Sequence, residues 1–237
     1  MTGSVRQLRK SLKSSSPGLR VEREHWNSGV EFVAGLDEVG KGAWAGPLTV
    51  GAVIVPKDRR IYKVRDSKML SFAEREELFD RIAGWCEAWS VAHASHEECM
   101  ELGMSDAQRL AAQRCLDDLK GQVGGEVEVA LLDGKWDFVG GDRAQTIVRG
   151  EQVSLSIAAA SILAKVTRDR MMIELADEYP GYNFAANKGY PCHRHRSALQ
   201  FLGPSTIHRR NWAFMDSLSW RGIVRYIPDD GQGTLFV

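Results

Sequence analysis

The sequence of 237 residues has few cysteines, no net charge and no long hydrophobic run. No two cysteines form a C-x-x-C pair, which argues against a disulfide framework or a zinc site and predicts free thiols in a reducing, cytoplasmic compartment. Basic and acidic residues both number 31, so binding to a polyanion would have to come from local basic patches. No apolar stretch approaches the roughly 20 residues of a membrane-spanning helix. The composition therefore predicts an ordinary globular protein that is not held in a membrane.

The first 29 residues differ in composition from the rest of the chain. Residues 1–21 contain five basic residues and no acidic one. No apolar segment of the kind found in secretory signals is present, whereas an organellar transit peptide stays open. We predict a loose basic arm over residues 1–29, which either contacts phosphates or is simply solvated. A folded domain is expected over residues 30–220, followed by a tail over residues 221–237.

Residues 30–56 are the most informative stretch. Two short apolar runs, bounded by glycine and proline, predict a hairpin of buried strands. The first run ends in Asp37 and Glu38, and the glycine-punctuated turn Gly40-Lys41-Gly42 follows. Two buried neighbouring carboxylates need a partner, and a divalent cation such as magnesium or manganese would provide it. Because successive strand side chains alternate between faces, the two carboxylates would meet at a strand end, at a bulge or on two ions; alternatively, Glu38 is simply exposed.

Two further carboxylates occur in suggestive positions. A predicted strand over residues 127–133 ends at Asp133, and ligands of open α/β sheets gather beyond the carboxyl ends of strands. The longest predicted helix, residues 153–178, places Ser161, Lys165 and Asp169 four residues apart and hence on one face. The alternatives are a turn-forming aspartate and a surface ion pair worth a few tenths of a kcal/mol.

The remaining elements are predicted from local signals. Ser71 and Glu74 have the spacing of a capping box and predict a helix that begins there. A strand is predicted at residues 88–95, and a second helix is predicted to begin at Ser105 or Asp106. The C-terminal part interleaves cations with aromatic residues, which suits a phosphate backbone and stacked bases, although a charge run is more often a solvated surface.

The string GLDEVGKGAWAGP at residues 35–47 resembles the opening motif of the ribonuclease HII family. Further resemblances follow in order: DSKMLS at 66–71, LDG at 132–134, SIAAASILAKVTRDR at 156–170, and the two basic segments at 187–196 and 203–212. The resemblance implies an α/β fold, a ribonuclease H-like mixed sheet flanked by helices with a small helical C-terminal portion. Ribonuclease HIII shares the core motif, but it would need a longer substrate-binding domain before that motif.

The resemblance also assigns roles to residues. The implied catalytic and metal-binding residues, which would hold two divalent ions, Mg²⁺ or Mn²⁺, are Asp37, Glu38, Asp133 and Asp169. The implied substrate-binding residues are Gly40, Lys41, Gly42, Lys68, Ser161, Lys165, Tyr190 and Arg209. Family members usually carry arginine where this chain has Lys41, and the two side chains are not interchangeable in phosphate recognition. Tyr190 is the candidate for the aromatic residue that senses an RNA-to-DNA junction.

The implied activity is metal-dependent cleavage of RNA in RNA–DNA hybrids and 5′ to single ribonucleotides in duplex DNA. We expect Asp37 to bridge the two ions, and the products to carry a 3′-hydroxyl and a 5′-phosphate. The glycine turn would recognise the 2′-hydroxyl that distinguishes RNA from DNA. A monomer with a nucleic-acid partner is predicted. The alternatives are another ribonuclease H-like nuclease acting on DNA, and a non-catalytic nucleic-acid-binding module.

Overall fold

The computed structural model describes residues 17–61, 64 and 70–218. The helices are α1 (Arg20–Asn27), α2 (Phe72–Ala83), α3 (His96–Val123), α4 (Leu155–Glu178), α5 (Phe184–Asn187) and α6 (His193–Leu202). The strands are β1 (Val33–Val39), β2 (Leu48–Ile54), β3 (Ala88–Ala94), β4 (Val129–Asp133) and β5 (Ala144–Ile147). Short 3₁₀ helices occupy Gly150–Gln152 and Ala213–Ser217.

The five strands form one mixed sheet in the order β3-β2-β1-β4-β5. β1 pairs antiparallel with β2, as the predicted hairpin requires, and β2 pairs antiparallel with β3. β4 lies parallel to β1 on its other side, with Leu36 opposite Leu132, and β5 continues the parallel half. The ends of β1 and β4 therefore point to the same edge of the sheet. The α/β class and the mixed sheet predicted from sequence are confirmed.

Helices cover both faces of the sheet. Ala34 and Leu36 of β1 belong to the same buried cluster as Ala107 and Ala111 of α3. The alternate residues of β1 face α4, where a Cβ atom on Gly35 would lie only 2.3 Å from the main-chain nitrogen of Ile157. This close approach is possible because the first half of α4 consists of small and aliphatic residues and because Gly35 has no side chain.

The predicted elements agree with the structure at most positions. The strand predicted at residues 88–95 is β3, and the helix predicted at 153–178 is α4. The capping box of Ser71 and Glu74 is present at the start of α2. The helix predicted to begin at Ser105 or Asp106 is the part of α3 that follows its kink at Gly103, but α3 itself begins earlier, at His96.

The true start of α3 has its own sequence signal. Ser95 and Glu98 form a second capping box, with each side chain bonded to the other residue's main-chain nitrogen. Gly103 then adopts φ 78° inside α3 and kinks it, which separates the missed first turns from the amphipathic part that the sequence pattern detects. The helix continues to Val123 and ends in the left-handed Gly124.

The segment before residue 30 is not a loose arm over its described part. Helix α1 docks through Glu22, whose side chain is fully buried. One carboxylate oxygen of Glu22 accepts from Ser154 Oγ at 2.7 Å and from the main-chain nitrogen of Ser156 at 3.0 Å. The predicted arm therefore has to be corrected for residues 20–27, because a buried acid on α1 meets hydroxyl and amide donors at the N-terminus of α4. Residues 1–16 and the predicted tail lie outside the described part.

The small helical portion predicted for the C-terminal part consists of α5, α6 and the segment that follows. Phe184 of α5 and Leu199 of α6 pack in one buried cluster with Trp44 and Met172. This cluster joins the C-terminal portion to the loop between β1 and β2, which carries the Gly40-Lys41-Gly42 turn. Among the described residues, no helix is long and apolar enough to cross a membrane.

Candidate active site

Three aspartates lie on the side of the sheet that α4 covers. Asp37 follows Gly35 by two residues in β1, so its side chain points to the same face. Asp133 is the last residue of β4 and comes one position beyond the Leu36–Leu132 pair, beside Asp37 on the neighbouring parallel strand. Neighbouring strands lie about 4.8 Å apart. The third aspartate, Asp169, is on α4 itself.

Hydrogen bonds fix the orientation of the two strand aspartates. Oδ1 of Asp37 accepts from the main-chain nitrogen of Glu38 at 2.8 Å. Oδ1 of Asp133 accepts from the main-chain nitrogen of Gly150 at 2.7 Å. Each carboxylate is thus held through one oxygen by the main chain.

Asp169 is paired with a cation of its own helix. Its side chain is 3% exposed, and Lys165 Nζ donates to Asp169 Oδ1. Burial lowers the pKa of the Lys165 ammonium, and the hydrogen bond to Asp169 opposes that shift. The pair is therefore not the exposed surface pair that was the alternative interpretation of this spacing. Ser161, two turns earlier, is 5% exposed, and its role in substrate binding stays a prediction.

Glu38 points to the other face of the sheet, as strand alternation requires. Its Oε2 accepts from Gln108 Nε2 of α3 at 3.3 Å. In the described part of the chain, no three acidic, histidine or cysteine side chains stand close enough to hold one ion together. Two features keep the four carboxylates apart: Glu38 is on the α3 side of the sheet, and Lys165 bonds to Asp169. The sequence had left open how Asp37 and Glu38 could converge, and the structure has them diverge across the end of β1.

The glycine turn lies beside these carboxylates. Gly40 has φ +89°, and a Cβ atom there would approach Arg168 Nε to 2.3 Å, so the position requires glycine. The main-chain nitrogen of Gly40 donates to Tyr190 Oη at 2.8 Å. Lys41 Nζ donates to Gln108 Oε1 at 2.8 Å. Gly42 is exposed, and a Cβ atom there would meet nothing within 4 Å.

Two fully buried arginines hold the main chain of this loop. Arg209 donates from Nη1 to Gly40 O at 2.7 Å and from Nε to Gly46 O at 2.9 Å. Arg168 donates from Nε to Pro47 O at 2.8 Å. Both side chains are 0% exposed. The substrate-binding role predicted for Arg209 requires correction, because its guanidinium is enclosed by the loop.

A chain of hydrogen bonds runs from Ser205 through His208 and His195 to the main chain of Tyr190. The main-chain nitrogen of Ser205 donates to His208 Nδ1 at 2.9 Å, so the imidazole proton of His208 is on Nε2. His208 Nε2 therefore donates to His195 Nε2 at 2.9 Å, and His195 Nδ1 donates to the carbonyl of Tyr190 at 2.9 Å. Both rings are fully buried, and burial lowers the pKa of each. The three residues hold the main chain of Tyr190, whose hydroxyl meets the glycine turn.

Acidification is expected to destabilise the protein through this histidine pair. Burial lowers the pKa of His208 to about 3 from its ordinary 6.5, so the unfolded chain binds more protons between these values. The stability contributed by the neutral ring is complete above about pH 6.5 and is lost as pH falls, by up to about 1.4 kcal/mol per pH unit.

Urea unfolding at pH 7, 6 and 5 measures how steeply the free energy of unfolding depends on pH. His208→Gln should flatten it, whereas His193→Gln, an exposed control on α6, should not; equal slopes in both variants would contradict the assignment.

Several site residues were not found from sequence. Gln108, Arg168 and His208 act through contacts with segments distant in the chain. Arg168 and His208 lay within recognised motifs but had no assigned role, and Gln108 lay outside them. Lys68, predicted to contact phosphate, lies outside the described residues. Tyr190 meets the glycine turn through its hydroxyl, a contact that the sequence did not predict; the substrate-binding roles of Lys41 and Tyr190 stay predictions.

A mixed sheet with aspartates at adjoining strand ends and on a packed helix defines the ribonuclease H-like class of nucleases. The family model described as "Ribonuclease HII" matches residues 34–215. Ribonuclease HII of Streptomyces avermitilis is 43% identical over 196 residues, which cover 82% of each chain. Ribonuclease HII of a Synechococcus species is 44% identical over 204 residues, covering 85% of this chain and 90% of the relative.

Solved structures agree with these relatives. The ribonuclease H2 from Pyrococcus horikoshii superimposes with a TM-score of 0.66 at 25% identity, covering 79% of this chain and 97% of that one. Ribonuclease HII of Archaeoglobus fulgidus, solved in complex with PCNA, gives 0.63 at 26% identity, covering 81% and 98%. The chain belongs to the ribonuclease HII family. It is a ribonuclease H, an endonuclease, as the resemblance had predicted.

Proposed function

We propose that this ribonuclease H uses divalent metal ions to cut the RNA strand of RNA–DNA hybrids, and also cuts 5′ to single ribonucleotides in duplex DNA. The observation that carries the proposal is the placement of Asp37, Asp133 and Asp169 on one face at one edge of the sheet. A concentrated negative edge would repel a phosphate backbone unless cations neutralised it. The products would carry a 3′-hydroxyl and a 5′-phosphate.

The carboxylates fit hard divalent ions in their chemistry, since all the candidate ligands are carboxylate oxygens. Asp37 and Asp169 are buried, at 8% and 3% exposure, which disfavours leaving their charges unneutralised. Asp37, Glu38, Asp133 and Asp169 would hold two ions, Mg²⁺ or Mn²⁺. When bound, such ions supply an activated water and stabilise charge on the leaving oxygen.

The other residues of the site would position substrate and charge. Lys165 partly neutralises Asp169 and keeps it oriented. The turn at residues 40–42 would present main chain to the ribose, while the nitrogen and the carbonyl of Gly40 itself are bonded to Tyr190 and Arg209. Recognition of the 2′-hydroxyl by this turn would separate RNA from DNA at the cut site. Four free cysteines, two of them buried, support a reducing compartment such as the cytoplasm.

Gly42→Ala is expected to weaken substrate recognition without weakening the fold. A Cβ atom there meets no protein atom within 4 Å, so unfolding stability should change by no more than about 0.5 kcal/mol. The added methyl would stand between the turn and the ribose, and we expect KM for a duplex with one ribonucleotide to rise about tenfold. Steady-state cleavage and urea unfolding measure both effects. An unchanged KM would show that the sugar does not approach Gly42.

The experiment that tests the proposed function is cleavage of a labelled DNA duplex carrying one ribonucleotide, with Mg²⁺, with Mn²⁺ and with EDTA. A nick 5′ to the ribonucleotide, present with either metal and absent with EDTA, is the expected result. Cutting of a long RNA–DNA hybrid alone would overturn the single-ribonucleotide part. Equal cutting of an all-DNA duplex would indicate a different nuclease, and binding without cutting would indicate a non-catalytic module.

A further inference from the structure

Gln108 of α3 is a buried polar residue that the ribonuclease activity does not yet explain. Its side chain is 1% exposed and belongs to the buried face of α3, next to Ala107 and one turn before Ala111 and Ala112. A buried amide is costly unless its donor and acceptor are both satisfied, by about 1–3 kcal/mol for each unsatisfied group. A glutamine in an alanine-lined helix face therefore needs specific partners.

Both partners of Gln108 are residues of the candidate active site. Its Oε1 accepts from Lys41 Nζ at 2.8 Å, and its Nε2 donates to Glu38 Oε2 at 3.3 Å. The chemistry allows only this orientation of the amide, because an ammonium is solely a donor and an ionised carboxylate is solely an acceptor. One side chain thus bridges the cation of the glycine turn and a carboxylate at the end of β1.

The bridge determines where the Lys41 cation is. A lysine side chain is flexible and strongly hydrated, and it lacks the planar fork with which arginine orients itself. Hydrogen bonding to a buried acceptor fixes the ammonium, and hydrogen bonds to charged groups contribute more than neutral ones. The same amide donates to Glu38, which strand alternation places on the α3 face, and so limits the orientations of its carboxylate.

We propose that Gln108 is a positioning residue for substrate recognition: it fixes the Lys41 ammonium toward the nucleic-acid backbone and, through its other end, orients Glu38. The proposal rests on the proposed function for the roles of the turn and the carboxylate. It makes Lys41 and Gln108 one unit, so that loss of either removes most of the contribution of both.

The test is a double-mutant cycle on the full-length chain with the single-ribonucleotide duplex as substrate. We expect Gln108→Ala to raise KM about tenfold, the equivalent of about 1.4 kcal/mol for one charge-assisted hydrogen bond. In a Lys41→Ala background, the same substitution should change KM less than about twofold. Gln113→Ala, an exposed glutamine of the same helix that bonds to Asp117, is the matched control and should leave KM unchanged.

A second substitution separates the two ends of the bridge. Gln108→Glu keeps an acceptor for Lys41 but removes the amide donor to Glu38. We expect it to retain the wild-type KM and to lower kcat, whereas Gln108→Ala raises KM. A purely structural role of Gln108 predicts instead that both substitutions lower unfolding stability and that their effects multiply with those of Lys41→Ala. The proposal would be overturned if the effects of Gln108→Ala and Lys41→Ala on KM multiplied in the double variant, or if Gln108→Glu and Gln108→Ala had identical kinetics.

Binding of the same duplex in EDTA keeps this test distinct from that of the proposed function, since it reports the Lys41 contact without cleavage. Tenfold weaker binding by Gln108→Ala than by the wild type supports the positioning role even if no metal restores cutting, a result that would overturn only the proposed function. A wild type that cuts, with Gln108→Ala indistinguishable from Gln113→Ala in both assays, would overturn only the role of Gln108.

Discussion

Asp37→Asn is expected to abolish cleavage while leaving the fold intact. The amide oxygen of asparagine can still accept the hydrogen bond that Asp37 Oδ1 takes from the nitrogen of Glu38 at 2.8 Å, so the local main chain keeps its partner. The substitution removes the negative charge of a candidate metal ligand on β1, the central strand of the sheet. Losses of a thousandfold or more are typical when one member of a catalytic unit is removed, and we expect a loss of about that size in kcat.

The measurement is single-turnover cleavage of the single-ribonucleotide duplex at saturating metal, with urea unfolding of the same preparation. Asp177→Asn is the matched control, since Asp177 is an exposed aspartate on α4 and its change should not affect either quantity. Binding of the duplex should persist in Asp37→Asn, because the glycine turn and its cation are untouched. Residual activity within tenfold of the wild type would rule out Asp37 as a metal ligand.

The sequence predicted the elements whose signals are local. The strands β1 to β4 are short apolar runs, and the small residues at the start of α4 predicted its packing on the sheet. β5 was missed because Ala144–Ile147 is an edge strand of only 4 residues that alternate little in burial. The start of α3 was missed because the kink at Gly103 interrupts the helical pattern.

Side-chain roles in the site were predictable only as far as one segment determines them. Asp37 and Asp133 lie at strand ends, and the pairing of Lys165 with Asp169 follows from helical spacing. The enclosure of Arg209 was not predictable, because it depends on the approach of residues 40–46 from more than 160 positions away. In the same way, Gln108 contacts Lys41 and Glu38 only when α3 packs on the sheet.

Arg209→Met is expected to cause the second large effect, a collapse of the glycine turn. The fully buried guanidinium of Arg209 donates to the carbonyls of Gly40 and Gly46. Burial lowers its pKa to about 10, so it stays charged at neutral pH. Methionine fills similar volume but removes this donor from the carbonyls of Gly46 and Lys41, at a cost of about 1–3 kcal/mol each, whereas the carbonyl of Gly40 still accepts from the nitrogen of Ala43. We expect stability to fall by about 3 kcal/mol and cleavage by at least about a hundredfold.

Comparison with the adjacent residue separates a loop effect from a loss of charge. Arg210→Met removes a cation from an exposed position one residue further on, and it should change stability by no more than about 0.5 kcal/mol. Hydrogen exchange of the main-chain amides of residues 40–46 reports the loop directly, and it should accelerate in Arg209→Met at temperatures where the rest of the sheet stays protected. If exchange of these amides is unchanged while cleavage falls, Arg209 acts on substrate, and its assignment as the residue that holds this loop is wrong. If the cleavage rate also falls in Arg210→Met, positive charge at this surface controls activity rather than the bonds from Arg209 to the loop, because the two variants share only the removed cation.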